Sequence, residues 1–301
     1  MLLEIPIAGG SSHLQRMRLS VFLLLLCSVG AGAQDDLFLP AIQGQRIDNA
    51  SYIVDYDNQG RIPHWVAYEL KASELQGSAK RGDNFRVDRR VERSAPAKWP
   101  GSGYDRGHMK PAADSKGSAA EMSSSFLMTN MAPQTPALNR GEWKGVEELV
   151  RAWSVQFGQV YVVMGASKST HSVLAQNVRV PTHFWKTVLR YGADTAAVAF
   201  LFPNGKDVPG TVADYRVTVD SLEAFMGLDL FAALPDVTER RVEAEQGQWN
   251  LNQKAPPSTN GGSLPSGAAT SQRCTGWSKS KGGRCSNKTK HPSGRCHHHR
   301  N

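Results

Sequence analysis

Apolar residues in the middle of this chain gather into short runs separated by turn-forming residues, and the spacing inside each run predicts its element. Trp65-Val66-Ala67-Tyr68 and Val160-Tyr161-Val162-Val163 are continuous and rich in β-branched and aromatic side chains, as buried strands are. Residues 184–191 and 196–202 predict two further strands, with Gly192-Ala193-Asp194 as the hairpin between them. The period changes at 139–157. There Trp143, Val146, Val150, Trp153 and Phe157 recur at three- and four-residue steps, which places them on the buried face of a helix. A shorter helix is expected at 221–226. Strand runs with few helices predict an α+β architecture, not a doubly wound sheet.

The flanks read differently. Arg16 and Arg18 lead into the apolar run 19–29, and Ala31-Gly32-Ala33 follows as a small-x-small cleavage site. The run is too short to span a bilayer comfortably, so residues 1–33 are expected to be a cleaved signal peptide. Met17 serves equally well as a start. The product is then secreted or periplasmic, with no stable membrane association. Residues 34–50 read as a loosely ordered lead-in and 51–250 as the main domain. Residues 251–272, with Pro256-Pro257-Ser258 and Gly261-Gly262-Ser263, have linker composition, and 273–301 form a basic tail.

Charge sharpens this division. The formal net charge is +8, and residues 273–301 alone carry eight basic residues and no acidic one. Removing that tail and the +1 of residues 1–33 leaves 34–272 at −1. The main domain is near neutral, and the tail has the character of a tether for a polyanion or of a solvated end. After signal removal the remaining cysteines, Cys274, Cys285 and Cys296, all lie in the tail, where Arg-Cys recurs every eleven residues. With His299 they compose a Cys₃His zinc set, while a disulfide plus a free thiol, or a disordered end, are the alternatives. Trp277 among Lys279, Lys281 and Arg284 suits base stacking and phosphate contact.

Candidate chemistry centres on Gly101-Ser102-Gly103-Tyr104-Asp105-Arg106-Gly107-His108, where glycines bracket a bend and a histidine follows. A neutral imidazole can take a proton from water near neutral pH. Downstream, Asn139, Trp143, Glu147 and Arg151 are spaced by four, so a continuous helix would carry them on one slanted stripe. An amide oxygen can bind a hard cation such as Mg²⁺ that keeps its waters, and a carboxylate one turn on can hold those waters. On spacing alone, an ordinary solvated face with a Glu–Arg pair is the better account of the polar positions. Trp143 belongs to the apolar pattern and reads as core.

The stretches Asp105-Arg106-Gly107-His108, Thr129-Asn130-Met131-Ala132-Pro133-Gln134, and Leu138-Asn139 through Trp143, Glu147 and Arg151 together resemble the DNA/RNA non-specific endonuclease family. Trp65-Val66, the Val160 strand and Val180-Pro181-Thr182-His183-Phe184 extend the resemblance over most of 51–235. It implies a ββα-metal (His-Me finger) nuclease fold, with a central antiparallel sheet flanked by helices. It further implies His108 as general base, Asn139 as the direct ligand of Mg²⁺ (with Mn²⁺ as a substitute) and Glu147 acting through metal-bound water. Arg81 resembles the family's phosphate-contacting arginine, Arg151 would stabilise charge near the phosphate, and Asn130 would order the site. Asp105 and Arg106 become supporting residues. The pattern departs at Arg140, where glutamine is commoner, and at Thr129, where serine is. DNA and RNA are the implied partners, and a homodimer is compatible with the sequence. A nucleic-acid-binding protein on an inactive scaffold, or a toxin-type nuclease held by an immunity or inhibitor protein, are the competing readings.

Overall fold

The structure, a computed structural model, describes residues 38–253 and, as backbone alone, four two-residue strands within 272–289. The signal segment and the tail set Cys274, Cys285, Cys296 and His299 lie outside the described residues. In chain order the elements are β1 (Gln45–Asp48), β2 (Ile53–Asp57), β3 (Ile62–Lys71), β4 (Asp105–His108), α1 (Ala119–Ser124), β5 (Met131–Gln134), α2 (Pro136–Arg140), α3 (Glu142–Phe157) and β6 (Gln159–Ala166). There follow β7 (Thr170–Leu174), β8 (Val178–Pro181), β9 (His183–Arg190), β10 (Ala196–Pro203), β11 (Arg216–Val217), α4 (Val219–Met226) and α5 (Asp236–Ala244). Among these residues no helix is long and apolar enough to cross a membrane.

Seven strands form one antiparallel sheet in the order β1-β2-β3-β6-β9-β10-β11. Strands alternate their side chains between faces, and the apolar runs supply both. From β6, Val160, Val162 and Met164 join Trp143, Val146, Val150 and Trp153 of α3, whereas Tyr161 and Val163 join Leu222 and Met226 of α4 and Val242 of α5. The sheet is therefore buried on both sides, which is why its strands read as continuous apolar runs.

The predicted strands sit inside β3, β6, β9 and β10, and Arg190 pairs with Ala196 across the expected hairpin. Residues 38–50, read as a lead-in, contribute the buried Phe38 and the edge strand β1. The predicted helix at 139–157 is in fact two. Thr135 caps α2 through a hydrogen bond accepted from the Leu138 amide, with Pro136 at its first turn. Gly141 then breaks the path with φ −101° and ψ −113°, and α3 starts afresh. A side chain there would press its Cβ to 2.6 Å from the Ala137 carbonyl oxygen. Asn139 thus belongs to α2, off the stripe that Trp143, Glu147 and Arg151 share on α3.

The hairpin β4–β5 and the helices after it leave the sheet between β3 and β6. Buried Asn204, just past β10, ties them back: its amide donates to the Pro133 and Pro181 carbonyls and its oxygen accepts from the Thr135 amide. On α3, Trp153 stacks on Phe200, meets Trp249 edge-on at 4.8 Å and donates to the Asn250 carbonyl. Trp153→Ala is expected to cost about 3–5 kcal/mol, as large-to-small changes of buried aromatics do. Chemical denaturation with an unshifted midpoint would contradict this packing.

Candidate active site

His108 closes β4, whose register against β5 runs from Asp105↔Gln134 to His108↔Met131. Gly107 is required by close approach: a Cβ would lie 2.1 Å from Gln134 Oε1, because the Gln134 side chain crosses the strand there. Beyond the histidine, Asn130 fixes the exit of the strand. Its Oδ1 accepts from the Lys110 amide, its Nδ2 donates to the Lys110 and Ser125 carbonyls, and its own carbonyl accepts from the Met109 amide. Lys110 is buried in turn, with Nζ donating to the Ser51 carbonyl and hydroxyl.

The imidazole is walled by aromatic rings. Phe85 and Phe126 meet it edge-on at 5.5 and 5.1 Å, and Arg106 lies over Phe85 with its guanidinium carbon 3.6 Å from the ring centroid. Burial first, and then the positive charges of Arg81 and Arg106, push the His108 pKa down to about 3. The ring is neutral at physiological pH, and its buried Nε2 has no hydrogen-bond partner among the described residues. Arg81 itself is well exposed, with its guanidinium 5.3 Å from the Phe126 ring centre and only a 3.5 Å contact to Asp83.

Asp105 joins this strand to α2. Its Oδ2 accepts from Asn139 Nδ2 at 2.9 Å, and both its oxygens accept from Arg140. The hydrogen bonds from Arg140, working against partial burial and aided by Asn139, hold the Asp105 carboxyl below the ordinary carboxylate range. Because Asn139 commits its amide nitrogen to Asp105, its orientation is set, and its oxygen keeps its lone pairs without a partner among the described residues. Arg140, which stands where the resemblance expects glutamine, adds the ion pair to Asp105.

α3 is tied to the same strand by Trp143, whose indole N–H donates to the His108 carbonyl. One turn on, Glu147 has no hydrogen-bond partner among the described residues. Burial raises its carboxyl, opposed by Lys186 and Arg151. Arg151 is engaged elsewhere: Nη1 donates to the fully buried Asp114 at 3.0 Å, and Asp114 also accepts from the Tyr68 hydroxyl. Lys186 on β9 is fully buried, with Nζ 4.1 Å from the centre of the Trp143 ring.

The family model for DNA/RNA non-specific endonucleases matches residues 37–237, about two thirds of the chain. The chain belongs to that family. It is 34% identical to a nuclease of Nostoc sp. over 208 residues, 64% of this chain and 76% of that one. It is 31% identical to mitochondrial endonuclease G of Bos taurus over 218 residues, 66% of this chain and 73% of that one. Among solved structures, a chain of the EndoG/EndoGI complex, described in terms of EndoG inhibition, superposes with a TM-score of 0.61 at 28% identity. The match covers 68% of this chain and 92% of that one. The α+β, ββα-metal reading of the fold holds, and the protein is a nuclease acting on DNA and RNA.

The structure gathers His108, Asn130 and Asn139 around β4, with Arg81 at its open side, and sets Glu147 on the neighbouring helix. Arg151 it directs to Asp114. Sequence reasoning missed Asp114, Lys110, Lys186 and the ring pair Phe85 and Phe126. Lys186 alone carried a signal, as a charge near the middle of the predicted strand 184–191.

Between pH 6.5 and about 3 the unfolded nuclease binds a proton at His108 that the folded one refuses, so stability falls as pH falls through that window. His108→Asn is expected to flatten the pH dependence of unfolding free energy there. An unaltered slope in metal-free buffer would mean that the folded ring titrates normally.

Proposed function

We propose that this nuclease is exported, depends on Mg²⁺ and hydrolyses DNA and RNA phosphodiesters with little sequence preference. His108 acts as the general base. The observation that carries this reading is a neutral, aromatic-walled imidazole with an unpartnered Nε2, three residues along one strand from the carboxylate that orients Asn139. Asn139 and Glu147 fit a magnesium ion, which prefers hard oxygen donors and keeps several waters. Asn139 would hold it directly and Glu147 through water; Mn²⁺ is the expected substitute. When bound, the ion supplies Lewis-acid stabilisation of the charge that develops on the phosphate.

The protein's own groups do the rest. His108 Nε2 accepts a proton from the attacking water. Arg81, exposed beside the ring, contacts the phosphate and neutralises part of its charge. Arg151 acts one step back, through Asp114 and the field at Glu147. Asn130 positions His108 by fixing the strand's exit. None of these groups reads a base edge, which supports weak sequence preference. Presence of His108, Asn139 and Glu147 together speaks against an inactive scaffold. The N-terminal pattern supports secretion, and likeness to a nuclease solved in an inhibitory complex supports a protein inhibitor as a second partner class.

Purified protein is expected to degrade supercoiled plasmid and RNA with Mg²⁺ and to stop on addition of chelator. His108→Ala should lower the rate by at least about 100-fold, the usual worth of a general base, while leaving the folded fraction intact by circular dichroism. Full activity in that variant would remove His108 from the mechanism. Deleting 273–301 should weaken DNA binding and reduce its dependence on salt, because eight basic residues leave with the tail. An identical salt slope would show that the tail does not engage phosphate.

A further inference from the structure

On the sheet face opposite α3, the helices α4 and α5 bring acidic side chains together. Asp220 and Glu223 lie three apart on α4, so they share one side of it. Glu243 reaches them from α5, and one carboxylate oxygen from each of the three lies within 4.8 Å of the others. Glu243 is only 7% exposed, and its Oε1 is buried without a hydrogen-bond partner. One oxygen of Glu223 accepts from the Leu230 amide, leaving the second oxygen uncommitted by that bond.

A buried carboxylate without a donor is costly unless it is protonated or meets a cation. The leading charges that act on Glu243 are those of Glu223, Glu239, Asp220 and Asp229, all negative. Burial, followed by those neighbours, raises Glu243 to about 8, and burial likewise raises Glu223 to about 7. The leading charge effects on both carboxylates are therefore repulsive.

We propose that Asp220, Glu223 and Glu243 form a calcium site that clamps α4 to α5, separate from the catalytic centre. Calcium takes oxygen ligands at about 2.3–2.6 Å in irregular geometry, so oxygens up to about 4.6–5.2 Å apart can share one ion. The observed span falls within that reach. Magnesium, with bonds of about 2.1 Å and near-octahedral demands, fits such a mixed exposed-and-buried trio less well. Val219, Leu222 and Met226 of α4 and Val242 of α5 pack under the site into the second core. The ion therefore stabilises the helix pair and takes no part in cleavage.

The experiment is titration of CaCl₂ into chelator-stripped full-length protein carrying Asn139→Ala, which removes the ligand proposed for the catalytic metal. One calcium per chain is expected by calorimetry, with a rise in unfolding temperature. Asp220→Asn, at an exposed position in the first turn of α4, should weaken that binding at least tenfold, and Glu223→Gln with Glu243→Gln should abolish it. No heat and no shift in the Asn139→Ala protein would overturn the proposal. So would calcium binding of equal strength in Asp220→Asn, or a cluster whose stability responds to pH and never to calcium. Loss of nuclease activity in His108→Ala has no bearing on these readouts, so the two proposals fail separately.

Discussion

Asp105 divides one carboxylate between two neighbours on α2, the amide of Asn139 and the guanidinium of Arg140. The division holds a four-residue strand against a one-turn helix, two elements too short to be stable alone. With one N–H donated to Asp105 the Asn139 side chain has its orientation set, and its oxygen is left without a partner among the described residues. The strand that carries Asp105 also ends in His108, so one backbone segment sets the spacing of both functional groups. Trp143 repeats the arrangement from α3 by donating to the His108 carbonyl. The site is a small hairpin fastened at both ends to helices, and Asn204 fastens the hairpin to the sheet.

Behind this hairpin the nuclease buries several charges. Asp114 is wholly enclosed and would be expensive there without Arg151 and the Tyr68 hydroxyl. Among the described residues the Lys186 ammonium donates no hydrogen bond, and it rests on the face of Trp143, where ring electrostatics and the charge of Glu147 offset part of its desolvation. These groups come from β3, β9, α3 and the loop after β4. A buried polar network with contributors so dispersed is formed only when all of them dock together, which joins assembly of the site to completion of the fold.

How much of this was legible in the sequence differs by feature. Strands β3, β6, β9 and β10 showed themselves because a sheet covered on both faces needs unbroken apolar runs. β4 and β5 did not: each is only four residues long, β4 is polar but for Gly107, and β5 is interrupted by Pro133. The helical period across 139–157 concealed the break at Gly141, since Trp143 and later residues dominate the pattern and a single turn before them adds no second repeat. His108, Asn139 and Glu147 were readable through motif resemblance, whereas spacing alone favoured a solvated face. The walls of the site were not readable at all: Phe85 and Phe126 meet His108 from distant parts of the chain, and Arg151 finds Asp114 across 37 residues.

The enclosure of His108 bears on turnover. A ring whose conjugate acid is disfavoured this strongly by burial and by Arg81 and Arg106 is a poor store for a proton. In the proposed role, the imidazolium left after water is activated is a strong acid by the standards of histidine and hands its proton on readily. Mild acidity leaves such a base unprotonated. What the site gives up in basicity it regains as indifference to mild acidity in its surroundings.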